Sequence, residues 1–561
     1  MTTFWTPVEG AQHWAEQQPN AIYLSQPNKG EVRDYTWAQC LDEAKRMANY
    51  IQGMDLPQGS RIAVLSSNCA HMILADLAIW MSGHVSLPVY PSLNSETLGY
   101  ILEHSESQML FVGKLDNWAS MAPGVPDNMP MVLINGATHT GVEAPSWDEI
   151  VANTVPTETI IPRDKDELAR MIYTSGSTGQ PKGVMCSFTA LEAGSRVIGH
   201  LLELTPEDRM LSYLPLAHVF EAAAVEMNSL RHGFRVYFSE GLTTFATDLQ
   251  RARPTVFQSV PRLWVKFQQG VLAAVPQEKL SELLADENTA KATQQNILTK
   301  LGLQDTRIAV TGSAPLAPSV MEWYRSIGLE LLEGYAMSED FAYSHLSFPN
   351  RSRIGYVGEA VPGVERRLSE QGEVQIKSPG GMMGYFKDAE KTTEAYTDDG
   401  WFRTGDLGEV DELGRLKITG RLKEIFKTSK GKYVAPVPIE CKIGHPLVES
   451  VCVSGANQAQ PFVLLMPSAI AGEKLSCNEA KRQFESEISE LLEQVNQTLD
   501  PHEALSFAVM VKDSWTIENG MLTPTMKIRR NIIEERYSET VDAWYAERKT
   551  VVWECPTLAS A

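Results

Sequence analysis

Along the first 310 residues, short apolar runs alternate with stretches whose apolar positions recur at a helical period. The runs at 61–66, 85–89, 108–112 and 131–135 predict strands, with helices at 71–83 and 95–104 between them. Ahead of these lie a strand-like 21–25, a short segment at 35–37 and an amphipathic helix at 38–52 that Thr36 can cap. The rhythm resumes with strands at 210–213, 235–238 and 255–258 and helices at 220–232 and 247–253. A polar helical segment at 277–300 then precedes a strand at 307–310. Such alternation predicts an α/β fold of parallel-type sheets with flanking helices.

From residue 354 the texture changes. Short β-like pieces at 364–368, 373–376, 408–410 and 416–418 are separated by Gly, Pro, Asp and Glu turns. They suggest a small β-barrel-like subdomain, or a sheet, closing a large N-terminal domain. The length left after Gly420 suffices for a separate small α+β domain. Its strands are expected near 451–454, 462–466 and 507–512, and its helices near 478–495 and 526–536. The expected division is therefore 1–420 and 421–561.

Bulk properties narrow the partners. At 561 residues the chain exceeds what one hydrophobic core normally serves. A formal charge of −21 argues against nucleic acid and against anionic membrane surfaces. Seven scattered cysteines without C-x-x-C spacing suit reduced thiols better than disulfides or zinc. The longest apolar candidate, 72–89, contains Asp76, Gly83 and His84, so it predicts a buried helix and strand rather than a membrane span. The first ten residues lack the pattern of a secretory signal. A soluble, cytoplasmic protein is expected, with peripheral membrane contact left open.

The densest chemistry lies at 173–184, Y-T-S-G-S-T-G-Q-P-K-G-V. Gly176, Gly179 and Gly183 free backbone N–H groups to face an anion, and Ser175, Ser177, Thr178 and Lys182 complete a phosphate cradle. The preceding apolar run and a helix-like stretch from Ala190 suggest a strand–loop–helix setting. A mobile Ser/Gly surface loop is the plainer alternative. It is not a Walker loop, because Pro181 fills the second glycine slot and Gly183 follows the lysine.

Five further stretches follow at wide spacing. Gly312, Ser313 and Ala314 form a small-residue turn after a strand, open to a flat ligand or simply a tight turn. Gly334, Tyr335, Ser338 and Glu339 place an aromatic, a hydroxyl and a carboxylate together; Glu339 suits Mg²⁺ or is a solvated turn residue. Asp406 ends a turn-rich run, where it can accept from vicinal ribose hydroxyls. Between Arg415 and Lys432 there are seven basic residues and one acidic residue, a local excess suited to an anion or to a solvated face. Finally, Lys527 follows a Thr-Pro-Thr loop and is expected to open the last helix.

Taken in order, these stretches resemble the adenylate-forming superfamily of acyl-CoA synthetases, luciferases and peptide-synthetase adenylation domains. The motifs at 214–221 (L-P-L-A-H-V-F-E), 385–388 and 429–436 are most similar to bacterial long-chain acyl-CoA synthetases. The resemblance implies ATP, Mg²⁺ and coenzyme A, and a fatty acid joined to the thiol through acyl-AMP. It implies that Thr174 to Lys182 hold phosphates, and that Ser177 and Glu339 hold the metal. By the same resemblance Asp406 and Arg421 hold ribose, while Gly312, Ser313, Ala314 and Tyr335 frame adenine. Lys527 would act in adenylation alone, Lys423 is the hinge of a mobile small domain, and Gly431 belongs to the thioester-step loop. His218 would stand at the mouth of the acyl pocket or be a core histidine. Three positions depart from the pattern: Ala336 for glycine, Ser338 for threonine, and Met526 for the glycine before the lysine. Another carboxylate or a carrier-protein acceptor is the alternative, and a non-catalytic nucleotide-binding regulator is a third.

Overall fold

The computed structural model describes residues 4–139, 141–174, 180–523 and 526–554. Its centre is a seven-stranded sheet in which Val85–Val89, Arg61–Leu65, Ser107–Val112 and the edge strand Met131–Leu133 run parallel. Val85–Val89 is buried at every position, as expected of a strand covered on both faces. Helix Ala70–Met81 buries all twelve of its side chains, because apart from His71 and Asp76 it is apolar all round. Thr36 caps helix Trp37–Gln52 as expected, in a reciprocal box with Gln39.

Leu168–Thr174 joins this sheet beside Val85–Val89, and Lys182–Ser187 pairs antiparallel to it, with Thr174 opposite Lys182. The phosphate-loop segment thus links two neighbouring strands, and the helix Phe188–Leu201 begins only after the second. The strand–loop–helix setting expected from sequence is corrected. Residues 183–187 hold a single β-branched side chain, Val184, so their composition does not mark them as a strand.

Arg170, on the first of these strands, is wholly buried. Its guanidinium donates to Asp76 of the buried helix and to Glu226 at 2.8 Å. Burial raises the Glu226 carboxyl far above its usual range, against the pull of Arg170. Glu226 lies in a π-helical stretch, Ala222–Met227, that interrupts the expected helix at 220–232.

A nine-stranded sheet carries the other half of the large region. Val256–Ser259, Ile308–Thr311 and Leu331–Tyr335 are parallel, and the strands between residues 345 and 421 continue the same sheet antiparallel. Its strand order ends at Val256–Ser259 and Glu365–Leu368, so these pieces form an open sheet and not the barrel-like subdomain. A further sheet joins Glu31–Thr36, Ile22–Asn28, Arg235–Phe238 and Arg209–Ser212. The polar segment at 277–300 is two helices, Gln277–Ala285 and Ala290–Leu301.

After Arg421 the chain builds a smaller α/β unit on the four strands Val448–Ser454, Phe462–Pro467, Ala508–Met510 and Val551–Trp553. Helix Asn478–Asn496 covers it with Phe484, Ile488, Leu492 and Val495, one apolar stripe at helical spacing. The six described cysteines are free, and no described helix is long and apolar enough to cross a membrane.

Candidate active site

The carboxyl ends of three parallel strands open on one large cleft of about 2860 Å³. It is lined by Thr174, Lys182, His218, Gly312, Ser313, Ala314, Gly334, Tyr335, Ser338, Glu339, Asp406, Arg421, Lys423 and Lys527. Residues more than 350 positions apart in the chain therefore share one cavity. Ser175, Gly176, Ser177, Thr178 and Gly179 lie outside the described residues. Gly431 is not on the cleft: it turns the hairpin between Phe426–Lys427 and Tyr433–Val434, with φ of 76°.

Asp406 and Arg421 are direct cross-strand partners, which explains how residues fifteen apart meet. Arg421 Nε donates to Asp406 Oδ1 at 2.7 Å, and the Tyr335 hydroxyl donates to Oδ2 at 2.7 Å. The carboxylate is thereby fixed in orientation at the cleft wall. Opposite it, Gly312 follows strand Ile308–Thr311 and passes close to the Gly334 carbonyl, which a Cβ would approach to 3.3 Å. Ser313 takes φ of 69°, a left-handed conformation uncommon for a side-chain-bearing residue.

At the other end, Glu339 Oε1 accepts from the Tyr385 hydroxyl at 2.8 Å, and the Lys182 ammonium stands over the Tyr385 ring at 4.6 Å. Burial lowers the Lys182 pKa, Lys391 and Lys423 lower it further, and Glu339 opposes them. Lys391, held by Asp388 at 2.5 Å, thus adds a cation to this end of the cleft. Sequence inspection missed both Tyr385 and Lys391 as site residues. The 385–388 motif was noticed only as a likeness, and nothing local marks Lys391 apart from other surface lysines. Among the described residues, no group of three or more His, Cys, Asp or Glu side chains converges as a metal site.

His218 caps the short helix Val219–Glu221, its Nδ1 accepting from the Phe220 N–H at 3.2 Å. Burial and then the Lys527 charge bring its pKa down to about 3, so the ring is neutral. Asn68 shapes the approach to it: its side chain donates to the Leu214 carbonyl at 2.5 Å and accepts from the Leu216 N–H at 3.0 Å. Glu221 ties the same segment to two strands through the Tyr213 N–H and Gln258, and burial pushes its carboxyl up to about 8. An apolar branch of the cleft passes Ile198, Leu202, Val219, Ala223 and Val256.

Lys527 does not open a helix. It sits in a turn where Leu522 bridges Ile528, and helix Arg530–Tyr537 starts three residues on. Met526 beside it has φ of 62°, the left-handed conformation that a glycine adopts at little cost. Ala336, the other non-glycine departure, is not among the positive-φ residues. The Lys527 amine is surrounded by protein while open to the cleft. Burial first, then the charge of Arg421, bring its pKa down to about 8, with Asp406 and Glu424 pulling the other way. It shares the cleft with His218 and with the Asp406–Arg421 pair, close enough for their charges to act on one another.

The AMP-binding enzyme family model matches residues 11–386, and that of the AMP-binding enzyme C-terminal domain matches 423–549. Among similar proteins, the long-chain-fatty-acid–CoA ligase FadD15 of Mycobacterium bovis is 29% identical over 94% of this chain and 95% of its own. Human long-chain-fatty-acid–CoA ligase 1 is 29% identical over 87% of this chain and 78% of its own. Two solved structures share the fold. The anthranilate CoA ligase AuaEII, in complex with anthranoyl-AMP, superposes with TM-score 0.77 at 19% identity, covering 97% and 99% of the two chains. The A domain of a Segniliparus rugosus carboxylic acid reductase, with AMP and a co-purified carboxylic acid, gives 0.79 at 22%, covering 97% and 94%. The chain belongs to the AMP-binding enzyme family.

Proposed function

We propose that this family member is an AMP-forming acid–thiol ligase that converts a medium- or long-chain fatty acid to its coenzyme A thioester. The observation that carries the reading is the position of Lys527, which lines one cleft with His218 and the Asp406–Arg421 pair. The fatty-acid ligases similar along nearly the whole chain support the substrate class.

In the first step a carboxylate oxygen attacks the α-phosphorus of ATP, and the bond to pyrophosphate breaks. Lys527 holds the incoming carboxylate and the α-phosphate together, which is mostly positioning and charge neutralisation. Asp406 accepts from the ribose hydroxyls, with Arg421 and Tyr335 holding it in place. Gly312 to Ala314, Gly334 and Tyr335 frame adenine, and Ser338 lies beside them. Lys182, aided by Lys391, meets the β- and γ-phosphates together with residues 174–179. Glu339 and Ser177 would hold Mg²⁺, which prefers one or two carboxylates plus phosphate oxygens, a donor set that the single carboxylate of Glu339 fits. The ion would neutralise phosphate charge. In the second step the thiol sulfur attacks the acyl carbonyl, AMP leaves, and the thiol proton passes to solvent. For that step the small domain, from residue 421 onward, turns about Lys423 and brings the Gly431 hairpin to the cleft.

The test is fatty-acid-dependent release of AMP with one acyl-CoA formed per AMP, measured over acids of two to eighteen carbons. AMP release with no CoA thioester would overturn the acceptor, and no acyl-hydroxamate on trapping would overturn the ligase itself.

A pH effect follows from the Lys527 amine. Its lowered pKa means that the charged form is full well below pH 8 and is lost above it. The kcat/KM for ATP in acyl-AMP formation is expected to fall above about pH 8, and Arg421→Gln to move that limb upward by removing a neighbouring positive charge. A profile flat to pH 10 would contradict the role given to Lys527.

A further inference from the structure

A second group of cations lines the same cleft and takes no part in the adenylation chemistry above. Helix Pro261–Ala274 begins at the carboxyl end of strand Val256–Ser259, whose neighbour Ile308–Thr311 delivers Gly312 to Ala314. Trp264 is fully buried and its carbonyl accepts from the Tyr324 hydroxyl at 2.6 Å, which fixes how the helix is rotated. The opposite face then presents Arg262, Lys266 and Gln269 to the cleft, at positions i, i+4 and i+7. This face runs outward from the nucleotide end of the cleft at about 1.5 Å per residue.

Between them the two cations have one carboxylate partner. Among the described residues Arg262 pairs with Glu449, which lies on strand Val448–Ser454 of the C-terminal unit, and Lys266 has no ion pair. Burial lowers the Lys266 pKa and the Arg262 charge lowers it further. The uncapped N-terminus of the helix adds positive potential at the same end. In a chain of net charge −21, such an excess on a cleft wall suits a polyanion that enters from outside.

We propose that Arg262 and Lys266 receive the phosphate groups of coenzyme A, and that Glu449 shields Arg262 until the C-terminal unit turns for the second step. The proposal rests on the acceptor assigned above. The ion pair crosses between the two parts of the chain, so a rotation about Lys423 breaks it and exposes the guanidinium as the thiol is required. A bidentate fork at Arg262 and a point charge at Lys266 suit a cluster of phosphates.

The test compares coenzyme A with pantetheine, a thiol that lacks the phosphates, as acceptor for acyl-AMP. Lys266→Ala and Arg262→Gln are each expected to raise the KM for coenzyme A roughly tenfold, the loss of one charge-assisted contact. The KM for pantetheine and the rate of acyl-AMP formation should stay unchanged, and Arg262→Lys should recover part of the loss. Glu449→Gln is expected to lower the KM for coenzyme A, and a rise would overturn the shielding. An unchanged KM for coenzyme A in both variants, or an equal rise for pantetheine, would overturn the site. A wild-type enzyme that makes acyl-AMP and no thioester would instead overturn the acceptor, and the site with it.

Discussion

Replacing Lys527 with alanine is expected to slow acyl-AMP formation by about a thousandfold, the scale on which loss of one well-placed charge donor acts. Thioester formation from supplied acyl-AMP should proceed at near the wild-type rate, because the amine is assigned to the first step only. The physical basis is its placement: Lys527 lines the cleft together with His218 and the Asp406–Arg421 pair, while Gly431 does not. Fatty-acid-dependent exchange of pyrophosphate into ATP measures the first step, and coenzyme A-dependent loss of acyl-AMP measures the second. Equal loss in both would refute the division of labour between two positions of the C-terminal unit.

Arg170→Leu should cost about 3–5 kcal/mol of stability, as breaking one partner of a buried ion pair does. Arg170, Asp76 and Glu226 are all nearly inaccessible, so removing the guanidinium leaves two carboxyls facing each other without a counter-charge. The first unfolding transition in urea should shift to markedly lower concentration. The deficit should shrink as pH falls, because protonating Glu226, whose carboxyl burial already raises, removes uncompensated charge. An unchanged midpoint would show that the pair is dispensable. The same strand ends at Thr174 and Glu226 lies a few residues beyond His218, so a milder loss of ATP affinity should accompany the change.

Much of the site was legible because adenylate chemistry demands unusual local composition. A run holding three glycines, three hydroxyl residues and a lysine, or a Tyr with Ser and Glu close behind, stands out against ordinary loops. Lys391, Tyr385 and Asn68 did not stand out. Each acts through a partner distant in sequence: Lys182 and Glu339 for the first two, and the 214–216 backbone for Asn68. The helical positions of Arg262 and Lys266 were equally silent, since only the burial of Trp264 shows which face meets the cleft.

Several errors share a cause. The strand Lys182–Ser187 is unmarked in the local pattern ahead of the helix-like stretch from Ala190, and the turn around Lys527 resembles the start of a helix. Local periodicity is weak over five or six residues, and pairing with Leu168–Thr174 or the Leu522–Ile528 bridge decides the outcome. The short pieces after residue 354 appeared barrel-like for a similar reason. Each is a plausible strand, but whether the row closes depends on its neighbours, and here it continues from the parallel strands into one open sheet.

By itself the sequence determined the alternating α/β character, the largely apolar helix at the core and the residue types of the nucleotide chemistry. These follow from local periodicity and composition, which each segment carries alone. The tertiary structure decided the rest. It made Asp406 and Arg421 cross-strand partners, enclosed Arg170 with two acids, and brought Lys527 and His218 into one cleft. Such placements depend on which distant segments pack together, and the energy that selects them is shared across the whole core.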